Sequence, residues 1–162
     1  MFTLKRKNDL VTIELLATHQ DLLPTVQAWF ESEWPEYYGK GGRGSAAVDL
    51  LAYSHASTLP LGLIAFRSGQ ACGFAALKSE PFPSHPHLGP WAGAAVVVPD
   101  LRRQGIGSQL FASLEERARA LGHNRLYCAT GTSASLLVRS GWRLLEHVAH
   151  KGEEIGVYDK AL

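Results

Sequence analysis

Apolar residues recur along the chain at two spacings, and each spacing predicts one type of element. Residues 11–16 alternate, with Ile13 and Leu15 on one face, which predicts a strand. Residues 21–33 repeat apolar positions at helical spacing, with Asp21 as the expected N-cap and Pro24 in the first turn. The apolar stripe of that helix is formed by Leu22, Val26, Trp29 and Phe30. After a glycine-rich break, a second, shorter helix is predicted over residues 45–54.

The middle of the chain is dominated by strand patterns. Residues 61–66 and 70–77 are apolar runs on either side of Arg67-Ser68-Gly69, which predicts a β-hairpin. Residues 81–90 are rich in proline and histidine, and the prolines predict an irregular, stiff loop. A further strand is expected over residues 91–98.

Helices and strands alternate in the C-terminal part of the chain. An amphipathic helix is predicted over residues 105–121, followed by a strand at 125–130, a short helix at 133–140 and strands at 142–148 and 155–159. Gly122 and Gly141 are suited to end the two helices, and Gly152 lies in the last turn. The order β-α-α-β-β-β-α-β-α-β-β predicts a single α/β domain over residues 1–162, with helices on both faces of a sheet.

Composition and charge exclude several classes of function. With 162 residues, of which 46% are apolar, the chain has the size and composition of one globular domain. Its net charge of +1 does not favour nucleic acid, so any anionic ligand has to be held by local groups. No apolar run approaches the ~18 residues of a membrane span, and the N-terminus lacks the apolar region of a signal peptide. We therefore expect a cytoplasmic protein without a nucleic-acid or membrane partner.

The two cysteines, Cys72 and Cys128, lie inside apolar runs and outside any CxxC or histidine-rich cluster. This pattern predicts two buried, reduced thiols and no metal site. Cys128 is a poor candidate for an acyl-carrying nucleophile, because no neighbouring residue in sequence would lower the pKa of its thiol.

The most informative segment runs from Val96 to Ser108, where an apolar strand leads through a tight turn into a helix that begins among glycines. The unpaired N–H groups at such a helix start form a concave site for phosphate, which glycine leaves open to close approach. Arg102 and Arg103 offer further donors to anionic oxygens. The spacing alone is also compatible with an ordinary strand-to-helix turn. It is neither a P-loop, since no Gly-Lys-Ser/Thr follows, nor a dinucleotide-binding fingerprint, since the third glycine is missing.

The segment resembles motif A of the GNAT superfamily of N-acetyltransferases, whose pattern is Arg/Gln-x-x-Gly-x-Gly/Ala. Arg102, Gly105 and Gly107 fill that pattern, and the element order over nearly the whole chain is similar to the family's. The resemblance implies a mixed, splayed central sheet of about seven strands flanked by about four helices. It also implies acetyl-CoA as the acetyl donor.

By the same resemblance, the pantetheine arm pairs with the backbone of Ala95, Val96 and Val97 as an added strand would. The resemblance also implies that the turn holds the pyrophosphate. The backbone amides implied there are those of Arg103, Gln104, Gly105, Ile106, Gly107 and Ser108, and Arg102, which fills the motif, is a further cofactor-binding candidate.

Residues 33–39, Glu-Trp-Pro-Glu-Tyr-Tyr-Gly, resemble a segment that lies over the acceptor site in a bacterial branch of these enzymes. Their Trp-Pro pair is also similar to the actin N-terminal acetyltransferase branch. Residues 85–91 have a similar counterpart in the bacterial branch. These likenesses nominate acceptor-side residues: Glu33, Trp34, Tyr37, Tyr38 and Trp91. The implied acceptor is a primary amine of a small molecule or peptide, bound by a monomer or homodimer.

Direct attack of an amine on the thioester needs a base for the amine, a donor to the thioester oxygen and a proton for the leaving thiolate. The family often places a tyrosine proton donor where this chain has Leu137. Ser135 is our candidate donor, and Ser133, Tyr158 and an ordered water are alternatives. For the base, His87 is our candidate, since imidazole titrates near neutral pH. The alternatives for the base are His85, Glu33 and the Tyr37-Tyr38 pair.

Two other functions remain open from the sequence. Because leucine stands at position 137 where the family often has tyrosine, the chain is also compatible with a CoA-binding sensor or regulatory module that catalyses no reaction. A protein-interaction domain that binds no CoA would require the motif at Arg102–Ser108 to be coincidental. Arg125 and Lys160 are predicted to be ordinary solvated charges.

Overall fold

The computed structural model describes residues 10–162, which form a mixed α/β fold around one seven-stranded sheet. The expectation about a signal peptide concerns the chain's first residues and lies outside the described range. The strands are β1 (Val11–Leu15), β2 (Leu61–Arg67), β3 (Gln70–Lys78), β4 (Trp91–Val97), β5 (Arg125–Thr130), β6 (Arg143–His150) and β7 (Glu153–Ala161). The α-helices are α1 (Leu23–Glu33), α2 (Pro35–Tyr38), α3 (Ala46–Ala52), α4 (Ile106–Ala120) and α5 (Ala134–Arg139). The predicted fold class is confirmed, with α2 as an additional single turn of helix in a segment expected to be a loop.

Helices cover both faces of the sheet and enclose two hydrophobic cores. Leu110 and Leu114 of α4 pack with Leu126 and Leu137 in one core, and Val26 and Phe30 of α1 pack with Leu50 and Phe74 in the other. All of these side chains are fully buried. Since burying one large apolar side chain contributes about 1.5–3 kcal/mol, the two apolar helix stripes hold α1 and α4 on opposite faces.

The start of α1 differs from the prediction. Asp21 was expected to cap the helix, but it lies in a short 3₁₀ helix, Gln20–Leu22, that leads directly into α1. The N-cap is Leu22, which has a nearly helical backbone and makes no side-chain capping bond. The prediction of Asp21 as cap is therefore wrong, whereas the placement of Pro24 in the first turn is confirmed.

Arg125 and Lys160, expected to be solvated, are both paired with buried carboxylates. Arg125 lies 2.8 Å from Asp159, which is 3% exposed and also accepts hydrogen bonds from Arg143. Lys160 Nζ lies 2.7 Å from Glu115 Oε1 and donates to the carbonyl of Ser140 at 2.6 Å. The prediction fails because these partners lie far apart in sequence and meet only when β5, β6, β7 and α4 assemble.

The sheet opens in its middle, between β4 and β5. The strand order is β1-β2-β3-β4-β5-β7-β6, and β4–β5 is the parallel pair. The two strands pair only at Trp91↔Tyr127 and Ala92↔Cys128. Beyond Ala92, β4 continues to pair with β3, but no strand within residues 10–162 pairs with its other edge, as the splayed sheet predicts.

Candidate functional site

A cavity of about 880 Å³ lies where β4 and β5 separate, and we call it the turn cavity. Its walls come from β4, the β4–α4 turn, the first turns of α4, and α5 with the residues before it. The lining residues are Glu33, Ala95, Val96, Val97, Leu101, Arg102, Arg103, Gly105, Ile106, Gly107, Ser108, Leu110, Phe111, Thr132, Ser133, Ser135, Leu136 and Arg139. Every residue that the sequence assigned to the donor lies here, apart from Gln104.

The β4–α4 turn presents backbone N–H groups to this cavity. Arg103 and Gly105 have positive φ values of 63° and 84°. Gly105 is the N-cap of α4, and because it has no side chain, no capping group occupies the first amides of the helix. The first N–H groups of α4 have no acceptor within the helix, and the helix dipole adds partial positive charge at the same end. A Cβ added at Gly107 would lie 3.0 Å from the Leu136 Cδ1 methyl, so glycine keeps open the space in front of these amides, which we call the amide cradle. The turn thus has the form of an anion site.

Arg102 is engaged within the protein rather than pointing freely into the cavity. Its Nε donates to the carbonyl of Val97 at 2.9 Å, and its Nη2 donates to Glu33 Oε2 at 2.7 Å. These bonds join the end of α1 to the end of β4. Glu33, nominated on the acceptor side, is therefore in the wall of the turn cavity. The Gln104 side chain accepts a hydrogen bond from Arg67, and Gln104 does not line the turn cavity.

A second cavity of about 470 Å³ lies near the other end of β4, and we call it the tyrosine cavity. It is lined by Tyr37, Tyr38, Asp49, Tyr53, Lys78, Glu80, Pro81, Phe82, Pro83, Trp91, Ala92, Gly93, Ala94, Ala129, His150 and Lys151. Of the nominated acceptor residues, Tyr37, Tyr38 and Trp91 lie in it. The Lys151 Nζ lies 5.0 Å from the centroid of the Tyr37 ring, so the β6–β7 turn meets α2 beside this cavity.

Two carboxylates shape the electrostatics of the tyrosine cavity. The Tyr38 hydroxyl donates to Asp49 Oδ2 at 2.6 Å. Burial, followed by this hydrogen bond, raises the pKa of Tyr38, and burial together with the charges of Asp49 and Glu80 raises the pKa of Tyr53. Both phenols are therefore protonated at neutral pH and cannot serve as bases there.

The two cavities are lined by adjacent residues of β4. Ala94 lines the tyrosine cavity and Ala95 the turn cavity. Ala94 has a positive φ of 50°, and the β3–β4 register shifts between Phe74 and Ala76 at the same place. The bulge turns the strand here, as bulges beside functional sites commonly do.

Several nominated residues lie outside both cavities. Trp34 packs against the rings of Phe30 and Tyr38. His87 is exposed in the proline-rich loop. His85 is 8% exposed, with Nδ1 2.7 Å from Ser84 Oγ and Nε2 2.5 Å from Glu146 Oε1, so it anchors that loop to β6.

Of the residues considered for the proton donor, some lie in the core and others line the turn cavity. Leu137 is fully buried in the core beneath α4, and Tyr158 is buried in that core too, whereas Ser133 and Ser135 line the turn cavity. Both cysteines are buried and free, as predicted. Burial raises the pKa of Cys128 to about 12, which disfavours a nucleophilic thiolate.

The sequence reasoning missed most of the polar side chains in the tyrosine cavity: Asp49, Tyr53, Lys78, Glu80, His150 and Lys151. It also missed Arg139 in the turn cavity. Lys78 carried one signal, since it is a lone charge directly after an apolar strand pattern. The others are unremarkable in sequence and become significant only through their shared location.

Within residues 10–162, no group of three or more His, Cys, Asp or Glu side chains is placed to hold a metal ion. The helices of the same range include none that is both long and apolar enough to cross a membrane.

Comparisons with known proteins agree with the geometry. The model of the acetyltransferase (GNAT) family matches residues 24–137, well over half of the chain. The chain belongs to this family. It is thus an N-acetyltransferase of the GNAT type, and its donor is acetyl-CoA. No curated protein is significantly similar to the chain in sequence.

Solved GNAT structures share the fold at low sequence identity. An aminoglycoside 6'-N-acetyltransferase complexed with coenzyme A superposes with a TM-score of 0.76 at 14% identity, covering 93% of this chain and 96% of that one. A putative acetyltransferase from Salmonella typhimurium with acetyl-CoA gives 0.72 at 14% identity, covering 93% of each chain. A ribosomal-protein-alanine N-acetyltransferase from Brucella melitensis gives 0.70 at 20% identity, covering 94% and 99%. At such identities the likeness establishes the fold.

Proposed function

We propose that this GNAT protein transfers the acetyl group of acetyl-CoA to a primary amine of a small molecule or peptide by direct attack. The observation that carries the proposal is the pair of cavities lined by adjacent residues of β4, Ala94 and Ala95. A donor in one cavity and an acceptor in the other would meet at this point of the strand without a covalent enzyme intermediate. Both cysteines are buried and neither lines either cavity, and burial raises the pKa of each thiol, which also favours the direct route.

The turn cavity has the features needed to hold acetyl-CoA. The free edge of β4 offers the backbone of Ala95, Val96 and Val97 to a pantetheine arm. The amides from Arg103 to Ser108 suit the pyrophosphate, and the Arg103 and Arg139 side chains in the same cavity add positive charge. Acetyl-CoA supplies an activated acetyl group as a thioester.

In the proposed reaction, the amine nitrogen bonds to the acetyl carbon, the carbon–sulfur bond breaks, the amine loses a proton and the sulfur gains one. A backbone N–H of the β4 segment from Ala95 to Val97 would donate to the thioester oxygen. Ser135, with Ser133 beside it, is the hydroxyl we assign to the sulfur, because both line the turn cavity. His150 lines the tyrosine cavity whereas His87 does not, so we place His150 ahead of His87 as the base.

Two measurements test the proposal. Calorimetry should give a heat of binding for CoA, and acetyl-CoA should release its thiol when amines or peptides are supplied. Absence of binding heat at millimolar CoA would contradict the donor assignment. Binding of CoA with no thiol release from any amine or peptide would instead favour the non-catalytic sensor.

A further inference from the structure

Lys78 is the last residue of β3, half-buried, and its side chain lines the tyrosine cavity. No carboxylate of the described residues forms an ion pair with it. Two other half-buried cations, in contrast, are paired with buried carboxylates: Arg125 with Asp159, and Lys160 with Glu115. A lysine held in a cavity without its own carboxylate is available to an anionic group of a ligand.

The position of Lys78 relative to β4 narrows what that group can be. Its side chain runs across Gly93, where an added Cβ would lie 3.3 Å from the Lys78 Cδ. Gly93 directly precedes Ala94, the residue at which the two cavities adjoin. An anion bound by Lys78 would therefore lie close to the amine that attacks the thioester, within the same small acceptor.

The rest of the cavity lining includes carboxylates, a second lysine and aromatic rings. Asp49 and Glu80 both line this cavity, and their negative charges contribute to the raised pKa of Tyr53. Lys151 contacts the Tyr37 ring, beside α2. Carboxylates and aromatic rings suit the cationic or aromatic remainder of an amine, whereas Lys78 offers a positive charge beside the reacting strand.

We propose, on the basis of the proposed function, that the acceptor is an amine carrying a carboxylate next to it, as a free α-amino acid does, and that Lys78 binds this carboxylate. The α-amino group then lies at the Ala94–Ala95 step, and the amino-acid side chain extends toward the tyrosines and carboxylates. A peptide N-terminus lacks a carboxylate at that position. Lys78 would therefore make the enzyme prefer free amino acids over simple amines and peptides as acceptors.

The test compares acceptors that differ only in the carboxylate: tyrosine with tyramine, phenylalanine with 2-phenylethylamine, and lysine with cadaverine. We expect kcat/KM for the amino acids to exceed that for the matched amines by at least about tenfold, the effect of one charge-assisted hydrogen bond. In Lys78→Gln this preference should vanish, because KM for the amino acids rises. The kcat/KM values for the amines should change less than about twofold. Lys78→Arg should restore most of it.

Lys40→Gln is the matched control, since Lys40 is an exposed lysine outside both cavities. It should leave both series unchanged, and calorimetry should show the same CoA affinity for Lys78→Gln as for the wild type. The inference is overturned if amines or peptides are acetylated as well as or better than amino acids. It is also overturned if Lys78→Gln lowers both series equally. No turnover with any acceptor, despite CoA binding, would overturn the proposed function itself.

Discussion

At the scale of single residues, the chemistry of this protein depends on where side chains are absent as much as on where they are present. Gly105 adopts the left-handed conformation at the start of α4, and Gly107 leaves space in front of the helix amides. Leu137 occupies a core position rather than the cavity wall. Consequently, backbone groups and the small hydroxyls of Ser133 and Ser135 form much of the polar surface at the donor site.

Gly107→Glu should abolish CoA affinity. The new carboxylate would enter the amide cradle and face the pyrophosphate, where two like charges about 4 Å apart cost roughly 4 kcal/mol near a protein surface. Calorimetry should show no binding at millimolar CoA. Gly107→Ala is the control for size, because its methyl group needs only a small shift of Leu136. Unchanged affinity in Gly107→Glu would refute the placement of the pyrophosphate.

Cys128 should make the fold sensitive to alkaline pH. Burial raises the pKa of the Cys128 thiol from 9.0 to about 12, so above pH 9 the unfolded chain releases a proton that the folded chain keeps. The stabilisation is complete below pH 9 and declines as pH rises toward 12, by about 2 kcal/mol at pH ~10.5.

Urea unfolding at pH ~8 and ~10.5 measures this loss in the wild type and in Cys128→Ala. The variant should be less stable at both pH values because of the cavity it leaves, but its stability should fall less between them. Equal falls in the two proteins would contradict the assignment to Cys128.

At the scale of elements, ionic contacts and hydrogen bonds fix helices to the strands on which they pack. Arg102 connects the end of α1 to the end of β4, and Lys160 of β7 connects Glu115 of α4 to the carbonyl of Ser140 after α5. The Lys160 contacts set how α5, which carries Ser135, lies against α4 and the sheet.

Lys160→Met should destabilise the fold by about 3 kcal/mol, because Glu115 is 7% exposed and would lose its counter-ion. Denaturant unfolding of the variant gives the value. The double variant Lys160→Met/Glu115→Leu should recover much of the loss, since it removes the buried charge as well. No recovery in the double variant would show that Lys160 acts by packing rather than through Glu115.

At the scale of the whole molecule, the tyrosine cavity is assembled from segments distant in the chain. Tyr37 and Tyr38 come from α2, Asp49 from α3, Lys78 from β3 and His150 from β6. The adjoining turn cavity comes mainly from one contiguous stretch with its neighbours in α5. Donor recognition is therefore local in sequence, and acceptor recognition depends on the complete fold.

His150→Gln should lower kcat/KM for the acceptor about 100-fold near neutral pH, the range for loss of a general base. The loss should shrink at higher pH, where more of the amine is already deprotonated in solution. A pH–rate profile of the wild type, His150→Gln and His87→Gln tests this. A large loss in His87→Gln with little change in His150→Gln would return the role of base to His87.

Particular residues show how far sequence reasoning reached. The order of apolar elements predicted the α/β fold. The strand–turn–helix pattern around Gly105 and Gly107, through its resemblance to motif A, predicted where the donor would bind, since contiguous residues encode the end of the strand, the turn and the helix start. Asp21 failed as a cap because a 3₁₀ turn precedes α1. Arg125 and Lys160 failed as solvated charges because their partners come from distant strands and helices.

The sequence by itself thus determined the order of elements and the two core faces, because those depend on local hydrophobic patterns, and its resemblance to the GNAT motif implied the family and the acetyl donor. Only the tertiary structure decided which side chains surround the acceptor. It brought Lys151 onto Tyr37, placed Lys78 across Gly93 and left Trp34 and His87 outside the cavities. The physical reason is that such contacts arise from strand register and hairpin packing, which join residues that no local pattern relates.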